Sequence, residues 1–475
     1  MSDRAFGKLL PGERIMETGG RSDVSFAVPQ SDYPDIEWPA VVNGKNATLL
    51  ALQYQLRDTQ WWPDADIKAH QFRQIEHLVR HARKTVPYYA AHLDEAVWAK
   101  GLNNDIWQQV PVLGREELQA QGENLLSSAI PKEHGATTDQ QSSGSTGRPV
   151  SVRITELHGL FFAALNIRHF QWQGLNFRES VAAIRAIRPK EKDHVRLNKP
   201  IPWVAGHASG PMHLFDVVLP VSQQVAWLVK QKPTYLLTMP SNLKAILDYM
   251  QAKGLSLPSI RKVMTMSEII TPELRNQCTE VLDVRIGGSY SAYEVGMIAL
   301  QCPAYDHYHV QAESLLIEIL DEKNQPCDVG EIGRVVITDL HNFAMPLIRY
   351  DIGDYAEVGP ACPCGRGLPV LKRILGRKRN MVTYPSGDKS WPVPWLSSEL
   401  APIAPIKQIQ LTQHTRQEIE VKLVTDRPLT IKQQGLLVAL FQSRMHHPFD
   451  FKFVYVDVIE RSAGGKFEDF ISLID

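Results

Sequence analysis

The stretch Gln141-Ser142-Ser143-Gly144-Ser145-Thr146-Gly147-Arg148-Pro149 combines small hydroxyl side chains with glycine. It offers almost no side chain for a core, but hydroxyls and flexible glycines can turn several donors toward one point. Proteins hold phosphate oxygens in this way. The stretch is not a Walker P-loop, because Arg148-Pro149 follows the last glycine where that motif has Lys-Ser or Lys-Thr. A flexible serine–glycine linker is the alternative, and the stretch alone favours neither.

Length and composition narrow the class of protein. The chain has 475 residues, a formal net charge of −1 and a pI near 7.0. This balance gives no electrostatic reason to expect nucleic acid or an anionic membrane as a partner. Five cysteines are too few for a disulfide scaffold. The N-terminus shows no signal sequence, and no apolar run reaches the roughly 18 residues of a membrane span. We therefore expect a cytoplasmic protein.

The chain after the serine–glycine stretch alternates short apolar strands with helices. Strands are predicted at residues 181–187, 214–218, 235–239, 263–266 and 284–286, and helices at 222–231, 241–250 and 271–282. Ser241 and Thr271 are the expected N-caps of the last two helices. This alternation predicts an α/β fold, a mainly parallel sheet flanked by helices, with ligands at the carboxyl ends of the strands.

The two ends of the chain differ from this central part. A helix is predicted from residue 67 and ends at Pro87, whereas residues 1–60 form an extension that the sequence does not assign. After Gly376 a basic connector leads to a strand at 418–424, a helix at 430–444 and a strand at 451–458. We predict a large N-terminal domain at residues 1–376 and a small, mobile α+β domain at 377–475, joined by a hinge.

Four further stretches carry side chains that suit nucleotide chemistry. Residues 288–294 follow a predicted strand and are expected on a strand-end loop, where Tyr290 and Glu294 combine an aromatic face with a Mg²⁺-binding carboxylate. Asp354 follows a tight glycine and can accept both hydroxyls of a ribose. Arg377 opens the basic connector, and Lys466 lies on a glycine-flexed loop. Each residue also has an alternative structural role. Tyr290 could be a core aromatic, Glu294 a helix N-terminal acid and Asp354 a turn residue, and Arg377 and Lys466 could be solvated charges.

The order of these stretches resembles the adenylate-forming enzymes, the superfamily of acyl-CoA synthetases, adenylation domains and luciferases. The phenylacetate–CoA ligase branch is the most similar. The resemblance runs from about residue 67 to the C-terminus, and residues 343–354, Phe-Ala-Met-Pro-Leu-Ile-Arg-Tyr-Asp-Ile-Gly-Asp, carry its most specific motif. It implies an ATP-dependent ligase that makes an acyl-adenylate, with a small domain that rotates between two half-reactions.

The resemblance also implies a role for each motif residue. Residues 143–147 would wrap the β- and γ-phosphates of ATP; they are Ser143, Gly144, Ser145, Thr146 and Gly147. Tyr290 would stack on adenine, with Glu268 passing its edge, and Asp354 would hold the ribose. Glu294 would bind Mg²⁺, Arg377 would reach ribose or phosphate from the hinge, and Lys466 would be the catalytic lysine. A cation between the attacking carboxylate and the α-phosphate offsets their repulsion.

Three positions depart from the superfamily pattern. Val150 stands where the superfamily's first motif often has a lysine. The phenylacetate-type branch also lacks this lysine. Tyr293 replaces the small hydroxyl residue near the α-phosphate, and Lys378-Arg379-Asn380 follows Arg377 where an acid is usual. Tyr293 remains an expected ATP contact, and its size is expected to reshape the acyl pocket or the phosphate contact.

Four residues suit a metal ion. Cys302, His309, Cys362 and Cys364 supply three thiols and an imidazole, which fit a closed tetrahedral Zn²⁺ site of structural type. Zinc-bearing members of the resembled branch have a similar layout. Buried free cysteines are the alternative, and His307 competes with His309 as the nitrogen ligand.

The sequence therefore predicts an enzyme that uses ATP and Mg²⁺ to activate a carboxylic acid, expected to be aryl or arylacetic, and passes it to coenzyme A. An amine, a hydroxyl or a carrier-protein thiol is the alternative acceptor. A non-catalytic nucleotide-binding protein is the second alternative, against which Lys466, Glu294 and Asp354 argue. The particular acid and the oligomeric state are not encoded in any motif.

Overall fold

The structure, a computed structural model, describes residues 29–93, 102–141, 149–391, 397–462 and 465–474. The predicted phosphate-binding residues lie outside these ranges; they are Ser143, Gly144, Ser145, Thr146 and Gly147. On either side of them, β1 (Thr137–Gln141) and β2 (Ser151–Thr155) pair antiparallel, with Gln141 opposite Ser151. The serine–glycine stretch therefore joins two paired strands.

Helices precede this strand pair. They are α1 (Gly44–Thr59), α2 (Asp64–Thr85), α3 (Pro87–His92), α4 (Asn104–Gln108) and α5 (Arg115–Gln121). The predicted stop at Pro87 is confirmed, since Pro87 begins the next helix instead of continuing α2. Helix α1 lies in the extension that the sequence did not assign. Leu49 and Leu56 are its buried residues, too few to give a clear helical stripe.

Twelve strands form one large sheet, in the order β11-β12-β13-β14-β10-β9-β8-β7-β6-β3-β5-β4. The strands are β3 (Val181–Arg185), β4 (Ile201–Pro202), β5 (Pro211–Asp216), β6 (Tyr235–Thr238), β7 (Lys262–Thr265), β8 (Ile286–Ala292), β9 (Gly296–Gln301), β10 (Tyr308–Val310), β11 (Leu315–Leu320), β12 (Ile332–Asp339), β13 (Tyr350–Val358) and β14 (Val370–Arg377).

Parallel pairing joins β5, β3, β6, β7 and β8, which are the five strands predicted from the sequence. The flanking helices are α6 (Glu156–Trp172), α7 (Lys192–Arg196), α8 (Val221–Gln231), α9 (Pro240–Lys253) and α10 (Pro272–Leu282). Thr271 caps α10 as predicted, accepting a bond from Leu274 N. The prediction for Ser241 is wrong: Met239 precedes α9, because Pro240 takes the first helical position.

From β8 to the edge strand β11 the sheet is antiparallel, and strand–helix alternation could not reveal this half. The placement of residues 288–292 on a loop is wrong, since β8 continues through them to Ala292. Gly296, with φ +78°, begins β9 after the tight turn that carries Glu294. That turn sits where the parallel and antiparallel halves meet.

The C-terminal part has a hydrophobic core of its own, which includes Leu411, Val421 and Phe441. Its elements are β15 (Val382–Thr383), β16 (Lys389–Ser390), α11 (Ser397–Leu400), β17 (Ile406–Gln413), β18 (Glu418–Thr425), α12 (Ile431–Met445), β19 (Asp450–Tyr455) and β20 (Phe470–Ser472). The predicted strands and helix of this part, and its α+β class, are confirmed. The domain boundary between residues 376 and 377 stays a prediction.

Candidate active site

Lys466 lies at the boundary between the small C-terminal part and the carboxyl ends of the parallel strands, a region that we call the cleft. Its backbone N–H donates to Ser462 Oγ at 3.1 Å, which closes the loop around Gly465 (φ +80°). A Cβ added to Gly465 would lie 2.8 Å from Met239, just beyond β6, so glycine allows this close approach.

Four predicted site residues act electrostatically on the Lys466 ammonium. Burial lowers the pKa of Lys466 and nearby Arg377 lowers it further, whereas the carboxylates of Asp354, Glu268 and Glu294 raise it. The net shift is downward. Groups that are up to 198 positions apart in sequence therefore act electrostatically on one ammonium, which is the convergence that a shared ATP site requires.

Asp354 has two partners on its own sheet. Tyr290 donates its hydroxyl to Asp354 Oδ2 at 2.6 Å, and Arg377 Nε lies 3.5 Å from Asp354 Oδ1. Asp354 and Arg377 are directly opposite each other on β13 and β14. Burial, followed by the charge of Asp354, holds the pKa of Tyr290 well above its usual range. Tyr290 is therefore a neutral donor that orients the carboxylate.

Glu294, the expected Mg²⁺ ligand, is almost fully buried beside an arginine. Arg115 Nη1 lies 3.3 Å from Glu294 Oε1, and the two side chains are 16% and 4% exposed. Arg115 is the first residue of α5. Arg115 belongs to none of the motifs that predicted the site. A basic residue at the start of a helix after Val-Pro-Val-Leu-Gly gave no sign of this long-range contact.

Glu268 follows β7 and joins the two parts of the molecule. Its carboxylate accepts bonds from Ser241 N at 2.8 Å, Ser241 Oγ at 3.0 Å and Phe467 N at 2.8 Å. Arg461 donates to Ser241 Oγ at 2.7 Å and to Gly465 O at 3.0 Å. Glu268 thus holds the residue after Lys466 against the large sheet, a role that the resemblance did not suggest.

The basic residues after Arg377 contact the same loop. Arg379 Nη2 donates to Glu468 Oε1 at 2.6 Å, and Asn380 Nδ2 donates to Phe470 O at 2.8 Å. The superfamily usually has an acidic residue after Arg377, where this chain has basic residues. Here Arg379 pairs with an acidic residue from another part of the chain, Glu468. Tyr293, the other departure, lies on the turn before Glu294 and is 50% exposed.

The four predicted zinc ligands converge, with their ligand atoms all within 4.8 Å of one another. Cys302 Sγ lies 3.8 Å from Cys362 Sγ, and His309 Nε2 lies 3.4 Å from Cys364 Sγ. A tetrahedral zinc with sulfur ligands at about 2.3 Å places those sulfurs about 3.8 Å apart, so the set fits the ion. Burial lowers the pKa of His309 to about 4, which keeps the imidazole neutral. His307 lies next to the set, with Nε2 3.0 Å from Cys362 Sγ.

An arginine supports this cluster from outside. Arg366 Nη1 donates to Cys364 Sγ at 3.5 Å, and its Nε donates to Gln60 Oε1 at 2.9 Å. Its guanidinium carbon lies 4.6 Å from the ring centroid of Trp61 and 4.4 Å from that of Trp172. The N-terminal extension is thereby tied to the cluster through cation–π contacts.

Comparison with known proteins places the chain in a family. A family model described as AMP-binding enzyme matches residues 68–344, more than half of the chain, and a model of the CapK C-terminal domain matches residues 396–472. The chain belongs to the AMP-binding enzyme family. The predicted superfamily and the prediction of an adenylate-forming ligase are confirmed.

Curated relatives and solved structures agree with this assignment. Phenylacetate-coenzyme A ligase of Thermus thermophilus is 28% identical over 335 residues, which cover 67% of this chain and 72% of the relative. The enzyme of the same name from Aromatoleum evansii is 25% identical over 336 residues, with the same coverage. A 2-hydroxyisobutyryl-CoA ligase bound to an acyl-AMP has a TM-score of 0.66 at 16% identity, covering 87% of this chain and 91% of that one. This last likeness confirms the fold. Among the described residues, no helix is long and apolar enough to span a membrane.

Proposed function

We propose that this protein uses ATP to convert an aryl or arylacetic acid to its acyl-adenylate and then forms a thioester with coenzyme A. The observation that carries the proposal is the position of Lys466, in one cleft with Arg377, Asp354 and Glu294. Relatives named phenylacetate-coenzyme A ligase support the class of acid and the thiol acceptor.

In the first half-reaction the substrate carboxylate attacks the α-phosphorus of ATP, and pyrophosphate leaves. Lys466 would lie between the two anions and stabilise the charge that develops on the transferring phosphoryl group. Asp354, oriented by Tyr290, would accept the ribose hydroxyls. Glu294 would hold Mg²⁺, which neutralises phosphate charge when it is bound. The serine–glycine stretch from Ser143 to Gly147 would wrap the β- and γ-phosphates.

In the second half-reaction the thiol of coenzyme A attacks the acyl carbonyl, and AMP leaves. Glu268, Arg461 and Arg379 make polar contacts that hold the segment around Lys466, which we call the lysine loop, in the cleft. Water can replace each of these contacts. We propose that the small domain rotates about residues 377–380 and exchanges these contacts, which removes Lys466 and admits the thiol.

We also propose that Cys302, His309, Cys362 and Cys364 hold a structural zinc ion. Four protein ligands leave no open coordination position, so the ion would stabilise the fold without entering the reaction. A cytoplasmic location follows as a proposal from the same chemistry, since ATP and coenzyme A are cytoplasmic substrates and free thiols persist in a reducing compartment.

Pyrophosphate release across a panel of carboxylic acids tests the proposed function. We expect ATP-dependent release with benzoic or phenylacetic acids and little with short aliphatic acids. Product mass spectrometry with and without coenzyme A identifies the acceptor. An acyl-CoA that forms in the presence of coenzyme A supports the proposal. Release of pyrophosphate with an amide or ester as the sole product assigns a different acceptor, and no release with any acid overturns the adenylation step.

A further inference from the structure

A basic surface lies beside the cleft at residues 185–199, the segment that follows β3. It contains six arginines and lysines and two acidic residues, so its net charge of +4 contrasts with −1 for the whole chain. Of these six, Arg188, Lys190, Lys192, Arg196 and Lys199 are exposed. A concentration of one charge on a nearly neutral protein is the expected footprint of an oppositely charged ligand.

Part of this charge is already compensated, and part is not. Arg185 forms a double contact with Glu191, both bonds at 2.9 Å, and Arg196 pairs with Asp193 at 3.0 Å. Among the described residues, no ion pair involves the amino group of Lys190, Lys192 or Lys199. Glu191 therefore fixes the base of the segment and leaves three lysines available to a ligand.

Contacts place the base of the segment next to the lysine loop. Arg185 O accepts a bond from Val217 N at 3.3 Å, and Val217 lies against Gly465, whose added Cβ would meet it at 3.3 Å. From Arg185 the chain runs through α7, which packs against β5, to Lys199, and the neighbouring Asn198 Oδ1 accepts a bond from Gln231 Nε2 at 3.2 Å. A molecule whose phosphates rest on the lysines can therefore extend an arm along β5 into the cleft.

Exposed apolar side chains accompany the lysines. Leu197 is 50% exposed and Val218 is 69% exposed; the first follows α7 and the second follows β5. A ligand that carries phosphates and a flat base can use both kinds of surface.

We propose that residues 185–199 bind the phosphate-bearing nucleotide end of coenzyme A, so that its pantetheine arm enters the cleft beside Lys466. The inference rests on the proposed function and assigns its second substrate a binding surface. The segment belongs to the large domain, so it stays in place when the small domain rotates. Lys190, Lys192 and Lys199 contribute charge attraction to the 3′-phosphate and the pyrophosphate, and Leu197 and Val218 contact the base.

Direct binding of coenzyme A, measured by titration calorimetry without an acid substrate, tests the inference even if no acid is known. We expect a triple variant, Lys190→Ala with Lys192→Ala and Lys199→Ala, to bind coenzyme A about tenfold more weakly, since three exposed charge contacts are lost and each contributes modestly. All three side chains are exposed, so the variant should fold normally. Lys253→Ala, an exposed lysine at the far end of α9, is the matched control.

Two coenzyme A fragments sharpen the result. Wild-type protein should bind dephospho-coenzyme A more weakly than coenzyme A, and the triple variant should bind the two more nearly alike. Added salt should weaken binding to the wild type more than binding to the variant. Equal affinity of wild type and variant for coenzyme A overturns the inference. Weaker binding of pantetheine with unchanged binding of coenzyme A also overturns it. So does weaker binding of an acidic carrier protein with unchanged binding of coenzyme A. Failure of every acid to release pyrophosphate would overturn the proposed function instead, and would leave the binding result to be judged separately.

Discussion

The cleft around Lys466 and the cluster around Cys362 are both assembled from residues far apart in the chain, but they treat charge in opposite ways. In the cleft, Lys466 lies across a boundary between two parts of the molecule from Asp354, Glu268 and Glu294, and Arg377 pairs with Asp354 on the large sheet. In the cluster, four ligand atoms within 4.8 Å face one another inside the large sheet. The first arrangement leaves charge for a ligand at the boundary between two parts of the molecule, whereas in the second the four ligand atoms face only one another.

The comparison predicts that cleft substitutions change catalysis more than folding, and that cluster substitutions change folding more than catalysis. Pyrophosphate release measures the effect of a substitution on catalysis, and unfolding measures its effect on stability.

Lys466→Ala should lower acid-dependent pyrophosphate release by about 10²–10³-fold, the typical cost of removing one group that stabilises transition-state charge. The unfolding midpoint should change little, because a buried ammonium that loses solvation contributes little net stability. Lys432→Ala, an exposed lysine of α12 in the same small domain, is the control. Unchanged pyrophosphate release in Lys466→Ala would remove the lysine from the adenylation step.

Cys362→Ser should abolish stoichiometric zinc and cost about 3 kcal/mol or more of unfolding free energy, since loss of a structural metal is among the few large single-residue effects. Zinc content by elemental analysis and denaturant unfolding measure both effects. Cys278→Ser is the matched control, because Cys278 is fully buried in α10 but lies outside the cluster. Zinc-free wild-type protein with the same stability as the zinc-loaded form would contradict the prediction.

Arg366→Ala should weaken zinc binding by about 10- to 100-fold, the usual effect of removing an outer partner of a metal ligand. The lost contacts are the bond to Cys364 Sγ and the stacking on Trp61 and Trp172. A competition assay with a chromogenic chelator measures the affinity, and protease sensitivity of α1 reports the loosening of the extension. Arg178→Ala, an exposed arginine elsewhere, should leave both unchanged.

Arg115→Ala is the counterpart on the cleft side. It removes a guanidinium 3.3 Å from Glu294, and a hydrogen bond to a charged group contributes about 1.5–3 kcal/mol. We expect kcat/KM for ATP to fall about tenfold or more, with a smaller change in KM for the acid. Arg80→Ala, on the exposed side of α2, is the control. A change in KM for the acid alone would place Arg115 in the acyl pocket instead of the phosphate site.

The sequence predicted more of the cleft than of its supports. Lys466, Glu294, Asp354 and Arg377 could be found because each lies in a short motif whose spacing is characteristic of a family. Arg115 acts across 179 positions, and no local pattern identifies such a pair. The five parallel strands were predicted because four of them are short apolar runs before a helix, and the fifth, β8, follows the helix α10.

Other misses have equally physical causes. Helix α1 buries only Leu49 and Leu56, so its amphipathic signal is weak. The antiparallel strands β9 to β14 follow one another through turns, without helices between them, and strand–helix alternation could not detect them. Glu268 accepts bonds from both parts of the molecule, and this depends on how two domains dock, which is not a local property.

The smallest expected effect concerns the Arg185–Glu191 ion pair. This pair lies next to the cleft, but its two charges are already paired with each other. The hydrogen bonds from Arg185 lower the pKa of Glu191 to about 2, against an ordinary value near 4.5. A carboxyl group whose pKa is lowered by folding adds stability above its unfolded pKa and loses it as the pH falls toward its folded pKa. Glu191→Gln should therefore cost about 1 kcal/mol at pH 7, after allowance for solvent screening, and the difference from wild type should shrink below about pH 4.5.

Urea unfolding at pH 7 and at pH 3 measures the two differences, with Asp193→Asn as the control because the Arg196–Asp193 pair is largely solvated, with side chains 72% and 78% exposed. If Glu191→Gln costs the same at both pH values, the pair contributes packing and not charge. The same variant also bears on the basic surface. Glu191 N-terminal to α7 holds the base of residues 185–199 in place, so its loss should weaken coenzyme A binding despite raising the local positive charge. Stronger binding would mean that net charge, and not a fixed arrangement of lysines, is what the ligand recognises.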